Sequence, residues 1–171
     1  MKKILLCGYM ASGKSTVAQL LGKTAGLKTF DLDEIIQKKT GKTIPEIFAA
    51  DGEIKFRRLE HENLNELMHI DEGFVLSLGG GTPCYANNHL FLQQDDVVSV
   101  YLKTSIEELI FRLKRQGGGR PLLDNLAADE MHEYVAKHLF DRSYYYHQAK
   151  HVIATDGKSP EDIVNQIMSL Y

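Results

Sequence analysis

The sequence has no long hydrophobic run, few cysteines and little net charge, and each shortage excludes a class of protein. No apolar stretch approaches the roughly 18 residues that a membrane-spanning helix needs. The net charge of −3 gives no basic surface for a nucleic acid or an anionic membrane. The two cysteines, Cys7 and Cys84, lie far apart without metal-ligand spacing, which indicates reduced thiols. We therefore expect a cytoplasmic protein that binds neither nucleic acid nor membrane.

What the chain does contain is the composition of one ordinary globular domain. It has 171 residues, of which 43% are hydrophobic and 25% are charged. This balance is enough to build a normal core without metals or disulfides. No repeat, linker or low-complexity tract divides the chain, so we expect a single domain over residues 1–171. Nothing in the sequence favours an obligate dimer, and we expect a monomer.

Short apolar runs alternate along the chain with longer segments of helical periodicity. The first run, Lys3–Cys7, ends at a glycine and is followed by a helical pattern over Thr16–Lys23. Five such strands alternating with helices predict a parallel sheet covered on both faces, which is a three-layer α/β/α fold. Right-handed crossovers then place the carboxyl ends of the strands, and the ligand crevice, at one edge. The other predicted strands are 28–31, 73–78, 97–102 and 151–154, and the other predicted helices are 51–69, 105–115, 128–146 and 160–170.

Two of the predicted helices begin at recognisable capping sequences. Ser105 and Glu108 have the Ser-x-x-Glu spacing of a capping box. Ser159 precedes Pro160 and two acidic residues, which places a cap, a first-turn proline and favourable charge at one helix start. Both sequences predict where a helix begins.

The segment from Gly8 to Thr16 fits the pattern G-x-x-x-x-G-K-[ST] of a phosphate-binding P-loop. Its glycines let backbone N–H groups curl around phosphate oxygens, and the following helix directs its positive end at the same anion. Lys14 is predicted to reach the β- and γ-phosphates, and Ser15 to complete the coordination of Mg²⁺. The chain has no Asn-Lys-x-Asp segment, which argues for a compact kinase and against a GTPase. The residues of the loop predicted to bind ATP are Ala11, Ser12, Gly13, Lys14, Ser15 and Thr16.

Asp31 and Asp33 follow the second predicted strand, where its carboxyl end meets the crevice. On an extended segment, side chains two residues apart share one side. One carboxylate is then predicted to hold Mg²⁺ through water while the other orients an acceptor hydroxyl. The competing interpretation is a helix N-cap followed by a solvated acid.

Three further motifs bring charge or glycine to the same crevice. Arg57 and Glu60 are three apart on a predicted helix, where they can meet on one face or form an ordinary surface ion pair. The glycine run 79–81 ends the third strand and either lets backbone N–H groups approach an anion or forms a plain loop. Arg120 follows another glycine run, which is typical of a hinged lid that carries positive charge to phosphates, or of a flexible surface loop.

In order and spacing, these motifs resemble those of the shikimate kinase family over essentially the whole chain. The shared series is a P-loop with Lys-Ser-Thr, an Asp-x-Asp, a Thr-Gly-x-x-Ile-x-x-Ile-Phe segment at 40–48, Phe-Arg-x-x-Glu, Gly-Gly-Gly, Arg-Pro-Leu-Leu and a late arginine before tyrosine. Each motif is modest alone, but together in this order they are specific. The resemblance implies a P-loop fold with a substrate-binding region at about 32–62 and a mobile lid at about 113–127.

The resemblance also implies an activity. It implies transfer of the γ-phosphate of ATP to a hydroxyl of shikimate, giving shikimate 3-phosphate and ADP on the route to chorismate and the aromatic amino acids. ATP is then the co-substrate, and one Mg²⁺ per chain is the cofactor. A related small-molecule kinase, such as a gluconate kinase or a nucleoside-monophosphate kinase, is the alternative. A non-catalytic nucleotide-binding subunit is the rival of a different class.

Each matched residue takes a role from the family. Asp33 would hold the acceptor hydroxyls and, with Lys14 and Arg120, would make up the catalytic set. Arg57 and Arg142 would bind the substrate carboxylate, which suits guanidinium geometry. The other implied site residues are Gly79, Gly80 and Gly81 beside the substrate, Asp31 near Mg²⁺ through water, and the loop from Thr155 to Pro160 beside adenine.

Three points depart from the family pattern or stay open within it. Ala11 stands where the family often has glycine, which is a small steric change in the P-loop. The segment between Arg112 and Arg120 does not align uniquely, so either Arg112 or Arg115 contacts adenine. Asp33 either accepts the hydroxyl proton as a true base or only orients the hydroxyl.

Overall fold

A sheet of five parallel strands forms the middle of the fold. The structure is a computed structural model, and it describes residues 2–116 and 126–171. The strands are β1 (Lys3–Cys7), β2 (Lys28–Asp31), β3 (Phe74–Ser77), β4 (Val97–Lys103) and β5 (His151–Ala154). They lie in the order β2-β3-β1-β4-β5, and each neighbouring pair is parallel. The predicted five-stranded parallel sheet is therefore confirmed.

The helices of the described residues connect these strands. They are α1 (Lys14–Ala25), α2 (Leu32–Thr40), α3 (Ile44–Met68), α4 (Ile106–Gln116), α5 (Ala128–Tyr146) and α6 (Pro160–Met168). Two short 3₁₀ helices, at Thr82–Cys84 and Asn88–Gln93, lie between β3 and β4. Within residues 2–116 and 126–171, none of the helices has the length and apolarity needed to cross a membrane.

Alternate residues of the central strand β1 belong to two separate hydrophobic cores. Ile4 and Leu6 pack with residues of α1 and α6, whereas Leu5 and Cys7 pack with residues of α2, α3, α4 and α5. All four side chains are fully buried. Successive side chains of a strand point to opposite faces, so helices cover both faces of the sheet. The predicted three layers are confirmed.

Helix α2 decides between the two interpretations of Asp31 and Asp33, which were an extended segment and a helix N-cap followed by a solvated acid. Asp31 ends β2 and also caps α2, because its carboxylate accepts a hydrogen bond from the Glu34 N–H at 3.2 Å. Asp33 therefore lies in the first helical turn, so the extended segment is wrong and the N-cap interpretation of Asp31 is confirmed, although Asp33 has a buried oxygen and is not a solvated acid. The physical reason is that a short carboxylate satisfies a free N–H group at a helix start.

Helix α3 starts at Ile44 rather than at Asp51, where the sequence placed it. Its start is a capping box in which Thr43 and Glu46 exchange side-chain to backbone hydrogen bonds. The helix is interrupted at Gly52, which has φ of 84° and ψ of 171°. That conformation favours glycine. The break in the helix explains why the amphipathic pattern of the sequence indicates a helix only from Asp51 onward.

The two predicted helix caps have different outcomes. Ser159 and Asp162 form the reciprocal hydrogen bonds of a capping box at the start of α6. Ser105 accepts a hydrogen bond from the Glu108 N–H at 3.2 Å, but its own N–H donates to Asp156 at 2.9 Å. The prediction that the Glu108 side chain accepts a hydrogen bond from the Ser105 N–H is therefore wrong. The loop after β5 supplies the carboxylate instead.

The carboxyl ends of the strands meet at one edge of the sheet, as the sequence predicts. The P-loop follows β1, Asp31 ends β2, and the glycine run 79–81 comes after β3. Strand β1 has β3 on one side and β4 on the other, so the sheet is built outward in two directions from this point. In open parallel sheets, ligands bind at such a switch in strand order.

Candidate active site

The P-loop has the backbone shape of an anion site, with its lysine turned back on the loop itself. Gly13 has φ of 93°, and Lys14 begins α1. The Lys14 ammonium donates hydrogen bonds to the carbonyls of Gly8 at 2.7 Å and Tyr9 at 2.9 Å. Burial lowers the pKa of Lys14 to about 8. A buried cation next to free N–H groups at a helix start is suited to receive phosphate oxygens.

Ala11 has a backbone conformation that favours glycine. Its φ is 65°, in the left-handed region that favours glycine. The sequence suggested a small steric change here, and the backbone conformation is a further constraint that the residue type alone did not indicate. An alanine held in this region stores local strain in the loop.

Ser15 and Asp31 form an oxygen pair beside the P-loop. The Ser15 hydroxyl donates to the Asp31 carboxylate at 2.8 Å. These two residues come from α1 and the end of β2, which the fold brings to the same edge. Mg²⁺ takes oxygen ligands and keeps several waters, so one hydroxyl and one carboxylate beside a phosphate site fit it.

Asp33 is the carboxylate whose chemistry is most changed by its surroundings. Burial, followed by the neighbouring Asp31 and Glu60, raises the pKa of Asp33 to about 6. Its Oδ1 is buried and has no hydrogen-bond partner among the described residues. Asp33 lines a cleft of about 290 Å³ together with residues of the P-loop. Such an oxygen is an acceptor for a ligand hydroxyl.

The glycine run after β3 has no room for side chains, because each glycine lies against a charged group. A Cβ atom added at the three positions would lie 3.0, 3.2 and 2.6 Å from those groups, in chain order. The run therefore brings one carboxylate and two guanidinium groups together, from α2, α5 and α3. The contacting pairs are Gly79 with Asp33, Gly80 with Arg142, and Gly81 with Arg57.

Arg57 contacts a carboxylate and an aromatic ring beside the glycine run. Its Nη1 donates to Glu60 at 2.7 Å, which confirms the predicted contact on one helix face. The ring of Tyr85 lies 4.1 Å from the guanidinium carbon. Glu60 is only 1% exposed, and its second oxygen accepts from the Thr82 hydroxyl at 2.6 Å. The buried Glu60 thus holds a partly buried Arg57 in place, unlike an ordinary surface ion pair.

The two arginines that the sequence left open both lie on α4. Arg112 Nη1 donates to the Ala11 carbonyl at 3.2 Å, and its Nε donates to Glu108 at 3.0 Å. Arg115 instead lies over the ring of Phe111 at 5.6 Å. Arg112 is therefore the arginine of the two that reaches the P-loop in this structure.

A family model described as Shikimate kinase matches residues 10–171, which is nearly the whole chain. The chain belongs to the shikimate kinase family. It is therefore a kinase that uses ATP, as its P-loop indicates.

Individual relatives agree with this family. A shikimate kinase of Flavobacterium psychrophilum is 54% identical over 98% of this chain and 97% of its own length. A shikimate kinase of Flavobacterium johnsoniae is 51% identical over 99% of each chain. The solved structure of a shikimate kinase from Acinetobacter baumannii, in complex with shikimate, has a TM-score of 0.87 at 35% identity. That match covers 99% of this chain and 92% of the other.

The residues expected from the shikimate kinase resemblance lie at the glycine run, in the P-loop, at the start of α6, or outside the described residues. Arg57, Gly81 and Arg142 meet at the glycine run, and Ser12 is buried within the P-loop. Pro160 begins α6, and the loop before it contacts the start of α4 through Asp156. Arg120 and residues 117–125 of the expected lid lie outside the described residues. The cleft itself is lined by Ala11, Gly13, Lys14, Ser15, Thr16, Asp31, Asp33, Gly79 and Gly80.

Sequence reasoning missed two residues that hold Arg57 in this shikimate kinase site. Thr82 supports Glu60, and Tyr85 covers the guanidinium. The available signal was a hydroxyl and an aromatic ring directly after a glycine run. Their partners lie on α3, more than twenty residues earlier in the chain, so no local spacing indicated the contacts.

Proposed function

We propose that this shikimate kinase family member phosphorylates a hydroxyl of shikimate with the residues assembled at this cleft. The observation that carries the proposal is the unpaired buried oxygen of Asp33, a residue that lines the P-loop cleft and lies against the same glycine run as Arg57 and Arg142. A hydroxylated carboxylic acid supplies a hydroxyl for the first group and an anion for the other two. A nucleobase supplies no carboxylate for the arginines.

On the phosphate side, Lys14 is the residue that must change partners. Its ammonium would leave the Gly8 and Tyr9 carbonyls and donate to the phosphate oxygens of ATP, while the P-loop N–H groups bind the same chain of phosphates. Ser15 and, through water, Asp31 would hold one Mg²⁺, which neutralises charge on the phosphates when bound. Arg120 would add a further positive charge during transfer.

On the acceptor side, Asp33 would accept a hydrogen bond from the reacting hydroxyl. Above its pKa of about 6 the carboxylate is ionised and orients the oxygen lone pair toward the γ-phosphorus. Arg57 and Arg142 would hold the carboxylate of the same molecule. Positioning of this kind supplies most of the catalysis in phosphoryl transfer.

The remaining expectations belong to the same proposal. We propose a single kinase domain over residues 1–171, with a substrate region at about 32–62 and a lid at about 113–127. We also propose a cytoplasmic monomer with no nucleic-acid or membrane partner. The two free cysteines, Cys7 and Cys84, support a reducing compartment.

Release of ADP tests the acceptor directly. With ATP and Mg²⁺, we expect fast ADP release in the presence of shikimate and only a slow background without an acceptor. Gluconate and nucleoside monophosphates are the matched alternative acceptors, and they should leave the background unchanged. A rate with gluconate that equals or exceeds the rate with shikimate would overturn the proposal, and so would ATP binding without transfer to any acceptor.

Arg57→Ala is expected to raise KM for shikimate about 10- to 100-fold, because a charge-assisted contact to the carboxylate is lost. KM for ATP should stay near its wild-type value, since Arg57 does not line the P-loop cleft. Steady-state kinetics with each substrate varied in turn measures both constants.

Arg58→Ala is the matched control, because Arg58 is the exposed neighbour on the same helix. Arg57→Lys keeps a charge beside the buried Glu60, so it separates substrate binding from folding. An unchanged KM for shikimate in a folded Arg57 variant would remove this residue from carboxylate binding.

A further inference from the structure

One face of α5 carries three side chains, and two of them have no part in the proposed catalytic scheme. His138, Arg142 and Tyr146 are spaced four apart, so they lie one above the other along the helix. The first contacts the P-loop residue Tyr9, and the last contacts the glycine run after β3. Arg142, the proposed carboxylate ligand, lies between these two contacts.

The first contact is a hydrogen bond between side chains that are 129 residues apart. The Tyr9 hydroxyl and His138 Nδ1 are 3.0 Å apart, and the two rings meet edge to face at 5.4 Å. Tyr9 is 1% exposed, so water does not compete strongly for this hydroxyl. The backbone carbonyl of Tyr9 also accepts from Lys14. Tyr9 thus contacts the P-loop lysine through its backbone and α5 through its side chain.

Arg142 contacts both elements that these hydrogen bonds join. Its guanidinium carbon lies 5.9 Å from the centre of the Tyr9 ring, and Nη1 lies 3.2 Å from the place of a Cβ on Gly80. The carbonyl of Gly80 accepts a hydrogen bond from the Tyr146 hydroxyl at 2.5 Å. Arg142 therefore lies one helical turn from the Tyr9–His138 hydrogen bond and one turn from the Tyr146–Gly80 hydrogen bond.

The charge on His138 agrees with this arrangement. Burial and the neighbouring Arg142 lower the pKa of His138 to about 4. The imidazole is therefore neutral at neutral pH, and it can share a hydrogen bond with Tyr9 without repelling the guanidinium.

We propose that Tyr9 and His138 are a positioning pair that directs Arg142 at the carboxylate of the acceptor substrate. The proposal rests on the proposed function, because it takes Arg142 as a carboxylate ligand. A long arginine side chain loses rotamer freedom when it binds, and a support fixed on both sides removes part of that cost before the substrate arrives. The pair acts through Arg142 and touches neither substrate.

Tyr9→Phe isolates the hydroxyl, because the ring under Arg142 stays. We expect KM for shikimate to rise about fivefold, the size of one hydrogen bond, with a smaller change in kcat and none in KM for ATP. His138→Leu should give the same rise, and the double variant should add little to either single change. His138→Asn, whose amide oxygen can occupy the place of Nδ1, should restore a KM near that of the wild type.

A carboxylate-free substrate separates positioning from a general structural defect. With the methyl ester of shikimate, the kcat/KM of Tyr9→Phe should equal that of the wild type, since Arg142 has no anion to bind. Tyr134→Phe is the matched control, because the Tyr134 ring also contacts His138 at 5.4 Å. Thermal unfolding and calorimetric binding of shikimate check that each variant is folded and report affinity without turnover.

The possible results are distinct. Equal losses with shikimate and its methyl ester, additive single and double variants, or an unchanged KM in Tyr9→Phe would each overturn the positioning pair while the wild-type activity stands. If the wild-type protein itself releases no ADP with shikimate, the proposed function fails first. If it is active but Arg142→Lys binds shikimate normally, the carboxylate assignment of Arg142 fails, and the positioning pair fails with it.

Discussion

Lys14→Ala is expected to lower kcat about 10³-fold, the largest effect of any single substitution in this chain. The ammonium is the charged donor that the P-loop itself provides, and it lies at the start of α1, where the helix directs its N–H groups. Its loss removes stabilisation of charge that develops on the transferring group. Single-turnover kinetics with saturating ATP and shikimate measures the chemical step separately from product release.

The stability of this variant should change little, because two effects oppose each other. The substitution removes hydrogen bonds to the Gly8 and Tyr9 carbonyls, but it also removes a buried charge whose pKa is lowered to about 8. Lys14→Met keeps more of the side-chain volume, and Lys23→Ala changes an exposed lysine on the same helix. A Lys14→Ala protein that is folded and turns over at a near-normal rate would contradict the P-loop assignment.

The features that could be predicted from the sequence are those that depend on neighbouring residues. The strands at 3–7 and 28–31 have the predicted bounds, because short apolar or β-branched runs end at residues that change backbone direction. Helix α2 was predicted only as a competing interpretation, because one carboxylate decides it: Asp31 accepts a hydrogen bond from the Glu34 N–H at the helix start. A single capping contact gives no periodic pattern, so the sequence could not decide between the helix N-cap and the extended segment.

The site could be predicted as a list of residue types but not as an arrangement. Lys14, Asp33 and the glycine run were identifiable because their chemistry is written in short motifs. What the structure adds is that each glycine leaves space for one charged side chain from a different helix. Contacts such as that of Tyr9 with His138 join distant parts of the chain, and they exist only once the sheet order has brought α5 beside the P-loop.

The raised pKa of Asp33 lowers the stability of the fold at neutral pH, which links the proposed acceptor carboxylate to a pH-dependent property of the whole protein. Its pKa is raised from 3.8 to about 6, so the folded protein favours the protonated form more than the unfolded chain does. The resulting contribution to stability is fully present below pH 4 and is lost as the pH rises through about 6. At neutral pH the ionised Asp33 therefore destabilises the folded state.

Asp33→Asn is expected to reduce kcat by about 10²-fold or more while ATP still binds, because a neutral amide orients the hydroxyl poorly and cannot accept its proton. In the wild type, kcat/KM for shikimate should fall as the pH drops below about 6, and the variant should lack this acid limb. Glu34→Gln, which changes the exposed neighbouring acid, should keep the wild-type profile. Full activity in Asp33→Asn would remove Asp33 from the mechanism.

The same variant should be more stable than the wild type, by roughly 3–6 °C in Tm at pH 7.5, because it removes a buried charge. The difference should shrink as the pH falls below about 5, where the wild-type carboxyl is protonated in the folded state. Thermal unfolding across this pH range measures it. A loss of activity together with a gain in Tm would identify Asp33 as a group that is kept in an unfavourable state for catalysis. A loss of both activity and Tm would mean that Asp33 stabilises the fold and that its unpaired oxygen does not bind the substrate.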